Sequence, residues 1–179
     1  MRHPNPIAIE SYDPSWPRRF EAERSALQRI FGCEVRIDDI GSTAVPGLGA
    51  KPIIDILLGA EKLSEIESHI PELIAAGWEY MPQHEAILPE RRFFAKPKQR
   101  PRDFHLHAVE AVSPFWQRHV LFRDFLRRHR DVASEYEALK LELARQYGFN
   151  RDGYSEAKRS FIKRRSCQSA EGTDLNKAA

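Results

Sequence analysis

The chain has 179 residues and a mass of 20.7 kDa, a size that predicts one domain. Apolar residues make up 41% of it and ten are Phe, which provides for a buried core and excludes wholesale disorder. The 28 basic and 26 acidic residues give a net charge of +2, so nucleic acid is disfavoured as the main partner unless the basic residues cluster.

The first half of the chain alternates helical and strand patterns. A capping sequence with a proline, followed by apolar residues at helical spacing, predicts a helix over 14–31. A short strand that ends at Ile40 follows, and then a constrained loop. Residues 53–58 form an apolar run between Pro and Gly, which predicts a buried strand. Helical spacing over 63–74 predicts a helix that crosses over the sheet.

The second half begins with strands and ends with helices. The predicted strands lie near 78–81, 91–96 and 104–112, and the predicted helices cover about 115–130, 132–147 and 153–165. We therefore predict an α/β or α+β fold with a central mixed sheet. Residues 1–165 form the expected single domain, and the small polar residues of 166–179 form an expected disordered tail.

No segment predicts export or membrane insertion. The N-terminus lacks an apolar stretch of signal-peptide length, and the most apolar run, at 52–60, is far shorter than the roughly 20 residues that span a bilayer. The two cysteines, Cys33 and Cys167, form no CxxC pair. We expect a cytoplasmic protein without a membrane partner.

Asp55 is the residue that most strongly indicates a site, because it interrupts the apolar run of a buried strand. An ionised carboxylate in such surroundings costs several kcal/mol (about 3–5) unless it is paired, hydrogen-bonded or metal-bound. Two interpretations stay open. Asp55 is either the partner of a cation such as Lys51, or a member of a functional site.

Gly41 and Ser42 stand at a strand-to-helix turn, and twelve residues separate Ser42 from Asp55. Such a turn offers backbone N–H groups and a hydroxyl to a phosphate, although an ordinary turn has the same composition. The surrounding glycines match neither the Walker A nor the Rossmann spacing, which argues against P-loop kinases and dehydrogenases.

Basic and imidazole groups cluster later in the chain. His105 and His107 share one face of a predicted strand, where they bind a metal or a phosphate or face solvent. Six basic residues between 91 and 102 form either a solvated loop or a patch for a polyphosphate or single-stranded nucleic acid. These six are Arg91, Arg92, Lys96, Lys98, Arg100 and Arg102.

The assembled motifs resemble the GrpB family of nucleotidyltransferase-like proteins over about residues 8–165. The stretches that carry the resemblance are Tyr12-Asp13-Pro14, IGSTAVPGL (40–48), KPIIDI (51–56), Arg92-Phe93-Phe94, HLH (105–107), FRDFLR (122–127), Tyr136 with Lys140, and Tyr154 with Lys158. The resemblance implies a nucleotidyltransferase fold, with a mixed sheet flanked by helices and a helical C-terminal portion.

The resemblance also implies a site. Asp55 matches the first carboxylate of the superfamily's pattern, Leu57 occupies the place of the second, and His105 or His107 lies near the third. Asp39 stands where the family commonly has a histidine, which makes it a second candidate ligand, beside Asp55, for Mg²⁺ or its substitute Mn²⁺. The implied catalytic residues are Asp55 and His107, and the implied nucleotide-binding residues are Gly41, Ser42, Lys51, Arg92, His105, Arg123 and Lys158.

Two functions follow from this set. The first is Mg²⁺-dependent transfer of a nucleotidyl group from a nucleoside triphosphate to an unknown acceptor. The second is binding of a nucleotide or another phosphorylated small molecule without turnover, which Leu57 favours because two-metal phosphoryl transfer needs several carboxylates.

Overall fold

A computed structural model describes residues 6–99 and 101–162. Its helices and strands follow one another in the order α1 Trp16–Phe31, β1 Arg36–Ile40, β2 Ile54–Ala60, α2 Leu63–Ser68, α3 Ile70–Ala75, β3 Glu79–Tyr80, β4 Arg91–Lys96, β5 Phe104–Glu110, α4 Pro114–Arg128 and α5 Arg130–Tyr147. Residues 151–162 are also helical and are called α6 below. The strands form one five-stranded mixed sheet in the order β1-β2-β5-β4-β3, which confirms the predicted fold class.

Most element bounds agree with the sequence patterns. The backbone N–H of Ser15 donates to the Asp13 carboxylate at 2.8 Å, just before α1, as the capping sequence indicated. The predicted helix over 63–74 is instead two short helices, because Pro71 lacks the N–H that would continue the first one. The expected tail, 166–179, lies outside the described residues.

The register of the sheet brings polar residues of three strands onto one face. Asp55 of β2 pairs with His105 of the parallel strand β5, and Leu57 pairs with His107. On the other side of β5, Phe93 of the antiparallel strand β4 pairs with His107. Paired residues point to the same side of a sheet, so Asp55 and both histidines share a face.

Helices cover the two faces of the sheet unequally. One face packs its apolar residues, among them Ile54, Ile56 and Leu58, against residues of α1, α2 and α3. On the other face, Phe115 and Trp116 of α4 cover Leu57 and its neighbours. The Asp55 side chain, further along that face, keeps 32% of its surface exposed, so α4 leaves this end of the sheet accessible.

Within residues 6–99 and 101–162, no helix combines the length and the apolar character that crossing a bilayer requires.

Candidate functional site

The turn after β1 places the backbone directly against the Asp55 carboxylate. Gly41 has φ 77° and ψ −167°, a region that is essentially restricted to glycine. A Cβ atom at this position would lie 2.7 Å from Oδ2 of Asp55. A single 3-10 turn, Ser42–Ala44, follows. Glycine is therefore required here both by the backbone angles and by the close approach of the carboxylate.

Asp55 faces both histidines. Its Oδ1 lies 3.2 Å from Nδ1 of His105 and 3.5 Å from Nε2 of His107. Burial by itself would raise the pKa of Asp55, but the hydrogen bonds and the charges of His105 and His107 outweigh burial and hold that pKa well below its usual range. The carboxylate is thus ionised and acts only as an acceptor towards both rings.

Arg91 holds His107 from the other side of its ring. The Nη1 atom of Arg91 lies 3.1 Å from Nδ1 of His107. A guanidinium has no acceptor atom, so Nδ1 of His107 accepts and Nε2 carries the proton that faces Asp55. Burial is the main cause that lowers the pKa of His107 to about 4, which keeps the ring neutral at physiological pH.

Three lysines from different parts of the chain lie close enough to repel one another, and we call them the lysine cluster: Lys51, Lys140 and Lys158. The Nζ atom of Lys140, in α5, donates to Oγ of Ser42 at 2.9 Å and to the carbonyl oxygen of Gly49. The Nζ atoms of Lys51 and Lys158 lie 5.2 and 4.8 Å from the ring centre of Tyr154. The helical C-terminal part of the chain therefore adds cations to the end of the sheet that carries Asp55.

Burial and mutual repulsion disfavour the charged forms of the three lysines of the cluster. Burial, and then the charge of Lys158, lowers the pKa of Lys140 to about 7. Burial, and then the charge of Lys51, lowers the pKa of Lys158 to about 8. Burial also lowers the pKa of Lys51, although the Asp55 carboxylate opposes the shift. An anion at this place would relieve the repulsion among the three ammonium groups.

Two residues expected at the site lie elsewhere. Arg92 points to the opposite face of β4, where its Nη2 lies 2.6 Å from Oε1 of Glu67. Arg91, one residue earlier, reaches the site instead, because adjacent residues of a strand face opposite sides. The guanidinium of Arg123 binds Asp38 at 2.5 Å and Asp124 at 2.8 Å, so it joins α4 to β1.

Two further basic residues of the segment 91–102, Lys96 and Arg102, form ion pairs with acidic residues. Lys96 lies 2.7 Å from Glu23, and Arg102 contacts Glu79. These pairs hold the ends of the β4–β5 hairpin to neighbouring elements. They reduce the positive charge available for a polyanion along this hairpin.

Asp39 does not share the face of Asp55. It pairs with Ile56 in the register of β1 and β2, whereas Asp55 pairs with Ile40, so strand alternation directs the Asp39 side chain to the opposite face. Its Oδ1 is buried and has no hydrogen-bond partner within the described part of the chain. Burial, and then the nearby charge of Asp55, raises the pKa of Asp39 to about 7.

Asp39→Asn is therefore expected to stabilise the protein in a pH-dependent way. Folding raises the pKa of Asp39 from 3.8 to about 7. The carboxyl group therefore leaves the folded protein at full stability below pH 3.8, and that stability is lost as the pH rises through about 7, where the buried group ionises. We expect the variant to raise the free energy of unfolding by about 2 kcal/mol near pH 8 and by almost nothing near pH 4. Urea unfolding of the variant and of the unmodified protein at pH 8 and at pH 4 measures both differences in the free energy of unfolding.

The neighbouring variant Asp38→Asn is the matched control. It removes a carboxylate that pairs with the buried Arg123, so we expect it to lower the free energy of unfolding by about 1–2 kcal/mol at pH 8. A loss of stability for Asp39→Asn as large as for Asp38→Asn would contradict the raised pKa of Asp39.

The residues present do not fit a site for two magnesium ions. Such a site uses several carboxylates around ions about 3.5–4 Å apart. Leu57 takes the place of the second carboxylate and is fully buried beside Ile40 and Val109. Asp39 faces away, and Oδ1 of Asp55 already faces two histidines. Over residues 6–99 and 101–162, no three His, Cys, Asp or Glu side chains group in a way that could hold a metal ion.

Sequence reasoning missed two residues of this site, Arg91 and Lys140. The period-2 alternation of β4 could have selected Arg91, because it places Arg91 and Phe93 on one face and Arg92 on the other. Lys140 gave only the weak signal of a Tyr136–Lys140 spacing of four, and its Nζ in fact lies 4.9 Å from the Tyr136 ring centre.

Known proteins similar to this chain identify its family. The family described as GrpB protein matches residues 6–167. The UPF0157 protein YqkA of Bacillus subtilis is 36% identical over 158 residues, which cover 88% of this chain and 45% of that protein. The glutamate-rich protein GrpB of Alkalihalophilus pseudofirmus is 35% identical over 161 residues, which cover 87% of this chain and 91% of that protein. The chain thus spans less than half of the length of the Bacillus relative.

One solved structure supports the same family, and another shares the fold. The crystal structure of the conserved protein GrpB from Enterococcus faecalis has a TM-score of 0.84 and 33% identity, and the match covers 93% of this chain and 99% of that one. The poly(U) polymerase Cid1 with Mg and 3'-dATP has a TM-score of 0.51 at 13% identity, over 78% of this chain and 43% of that one, a similarity of fold alone. The match over residues 6–167 and the close structural similarity to the Enterococcus protein show that this chain belongs to the GrpB family.

Proposed function

We propose that this chain binds a nucleoside triphosphate, with the phosphates beside Ser42 and the lysine cluster, and transfers its nucleotidyl group to an acceptor. The observation that carries the proposal is the grouping of Lys51 and Lys158 around Lys140, which donates to Ser42 of the turn, in a nucleotidyltransferase-like fold. Fixed cations of this kind stabilise the charge that develops on a transferring phosphoryl group.

The lysine cluster leaves an excess of positive charge that an anionic ligand would balance. Two carboxylates act on its ammonium groups, Asp55 on Lys51 and Lys158 and Glu137 on Lys140, and burial lowers the pKa of each lysine. A triphosphate supplies several negative charges at once and can contact lysines that lie on separate elements. Magnesium enters this proposal only as the counter-ion that the nucleotide carries on its own phosphates.

Binding without turnover is the second candidate. The observation that favours it is Leu57, whose buried side chain replaces the second carboxylate of the superfamily's pattern. In that case a nucleotide or another phosphorylated small molecule binds at the lysine cluster and leaves unchanged. Both candidates require the cluster to bind phosphate, so the first experiment tests that shared step.

Lys140→Met is expected to raise the dissociation constant for ATP at least tenfold, which corresponds to about 1.4 kcal/mol. Methionine is one heavy atom shorter than lysine and removes the ammonium group, whose charge burial already disfavours. The substitution also removes the donor to the Ser42 hydroxyl and the Gly49 carbonyl, so we expect the melting temperature of the unliganded variant to fall slightly. Isothermal titration with ATP, with and without MgCl₂, measures the affinity.

The control is Lys62→Met, which removes an exposed lysine whose nearest partner is the adjacent Glu61. ATP binding by this variant should match that of the unmodified protein. A second readout is proton uptake: phosphate binding raises the low pKa values of Lys140 and Lys158, so ATP affinity should fall as the pH rises from about 7 to about 9. Equal ATP affinity for both variants would refute the phosphate site.

A further inference from the structure

Asp55 orients two imidazole rings, but it leaves them chemically different. His107 uses both of its ring nitrogens, since Nε2 faces Asp55 at 3.5 Å and Nδ1 accepts from Arg91 at 3.1 Å. Phe93 and Phe115 lie against the ring, with ring centres 5.2 and 6.0 Å away. His107 is therefore held in one tautomer with no nitrogen left for a ligand.

His105 uses only one of its nitrogens. Its Nδ1 lies 3.2 Å from Oδ1 of Asp55, and because the carboxylate can only accept, Nδ1 carries the proton. In the neutral ring Nε2 then has a free lone pair. No hydrogen bond to this Nε2 exists among the residues that the structure describes, and 26% of the side chain is exposed.

We propose that His105 is the general base of the reaction, oriented by Asp55, and that His107 is a positioning residue. The proposal rests on the nucleotide binding proposed above. It reverses the roles that the sequence motif implied, because the motif pointed to His107. An aspartate that fixes the tautomer and the direction of an imidazole is a recurring device for general-base catalysis.

The step that we assign to His105 is the activation of the acceptor. Nε2 takes the proton of an acceptor hydroxyl, or of water, while the oxygen forms a bond to the α-phosphorus of the nucleotide. The bond between that phosphorus and the bridging oxygen breaks, and diphosphate leaves with the bonding electrons. The nucleotidyl ester, or the monophosphate when water is the acceptor, is the other product, and His105 later releases its proton to solvent.

Two variants separate the roles of the histidines, because each keeps the donor to Asp55. In His105→Asn the side-chain amide can take the place of Nδ1–H, and in His107→Gln the amide can take the place of Nε2–H. Loss of a general base typically costs about 10²–10⁴-fold in rate. We expect His105→Asn to form product at least 100-fold more slowly, with ATP affinity within threefold, and His107→Gln to lose no more than tenfold.

The assay follows ATP labelled at the α-phosphate, with water and with glycerol as acceptors, in MgCl₂, in MnCl₂ and in EDTA. If His105→Asn forms product as fast as the unmodified protein, His105 is not the base, although the proposed transfer stands. If the unmodified protein binds ATP and forms no product under any of these conditions, both the base and the transfer are refuted, and binding without turnover remains. Failure to bind ATP refutes the proposed function itself.

The tautomers give a test that does not depend on turnover. In protein with ¹⁵N-labelled histidine, long-range ¹H–¹⁵N spectra at neutral pH should show His105 protonated at Nδ1 and His107 protonated at Nε2. Brief treatment with diethyl pyrocarbonate should modify His105 at least tenfold faster than His107, because only His105 offers a free nitrogen. A proton on Nε2 of His105, or equal reactivity of the two rings, overturns the assignment.

Discussion

Gly41→Ala is expected to lower the free energy of unfolding by about 3–5 kcal/mol, since it combines backbone strain with a steric conflict. The backbone angles at Gly41, φ 77° and ψ −167°, are costly for any residue with a Cβ atom. That Cβ would also lie 2.7 Å from Oδ2 of Asp55, well inside normal contact distance. Asp55 would have to move away from the turn and from the two histidines that it orients.

The chain contains a close control for this variant. Gly32, just after α1, has φ 80° and ψ −171°, nearly the same conformation, but a Cβ atom there would have no heavy atom within 4 Å. Gly32→Ala should therefore cost only the backbone strain, about 1–3 kcal/mol. Chemical denaturation of both variants separates the two contributions. Equal losses of stability would show that the Asp55 carboxylate yields to the extra methyl group without cost.

Asp55→Asn is expected to lower the free energy of unfolding by about 2–4 kcal/mol at neutral pH. The substitution keeps the shape of the side chain and removes the charge that accepts from His105 and His107. It also removes the negative charge that opposes the repulsion around Lys51 and Lys158. Asp55 is thus expected to support the fold as well as the site.

The pH dependence of this loss has a definite sign. Folding lowers the pKa of Asp55, so its contribution is fully present above the ordinary value of 3.8 and is lost as the pH falls below it. The difference between the variant and the unmodified protein should therefore shrink in strong acid. Asp103→Asn is the charge-matched control, because Asp103 is half exposed and pairs with Arg19 at the surface, where such pairs contribute about 0–1 kcal/mol. A variant at Asp55 that is as stable as the unmodified protein at neutral pH would show that the carboxylate does not stabilise the fold.

Local patterns in the sequence were sufficient to predict the sheet and part of the site. The glycine of the turn, the acid inside an apolar strand and the two histidines two residues apart each have a local reason to lie where they do. The structure brings Gly41, Asp55, His105 and His107 together, because neighbouring strands align these positions on one face. Period-2 alternation of β4 also separates Arg91 from Arg92, because adjacent residues of a strand face opposite sides of the sheet.

Other features depend on contacts between residues that are distant in the chain. Lys140 reaches Ser42 across 98 positions, and only the packing of α5 against the turn makes this possible. Arg123 pairs with Asp38, 85 positions earlier, which joins α4 to β1. The sequence by itself thus determined the fold class, the glycine turn after the first strand and the acid inside an apolar strand, since these follow from local periodicity and from the desolvation cost of a charge in such a strand. Only the tertiary structure decided which cations face that acid, which face Asp39 takes and which histidine keeps a free nitrogen, because burial, partner distance and tautomer are set by elements that meet only after folding.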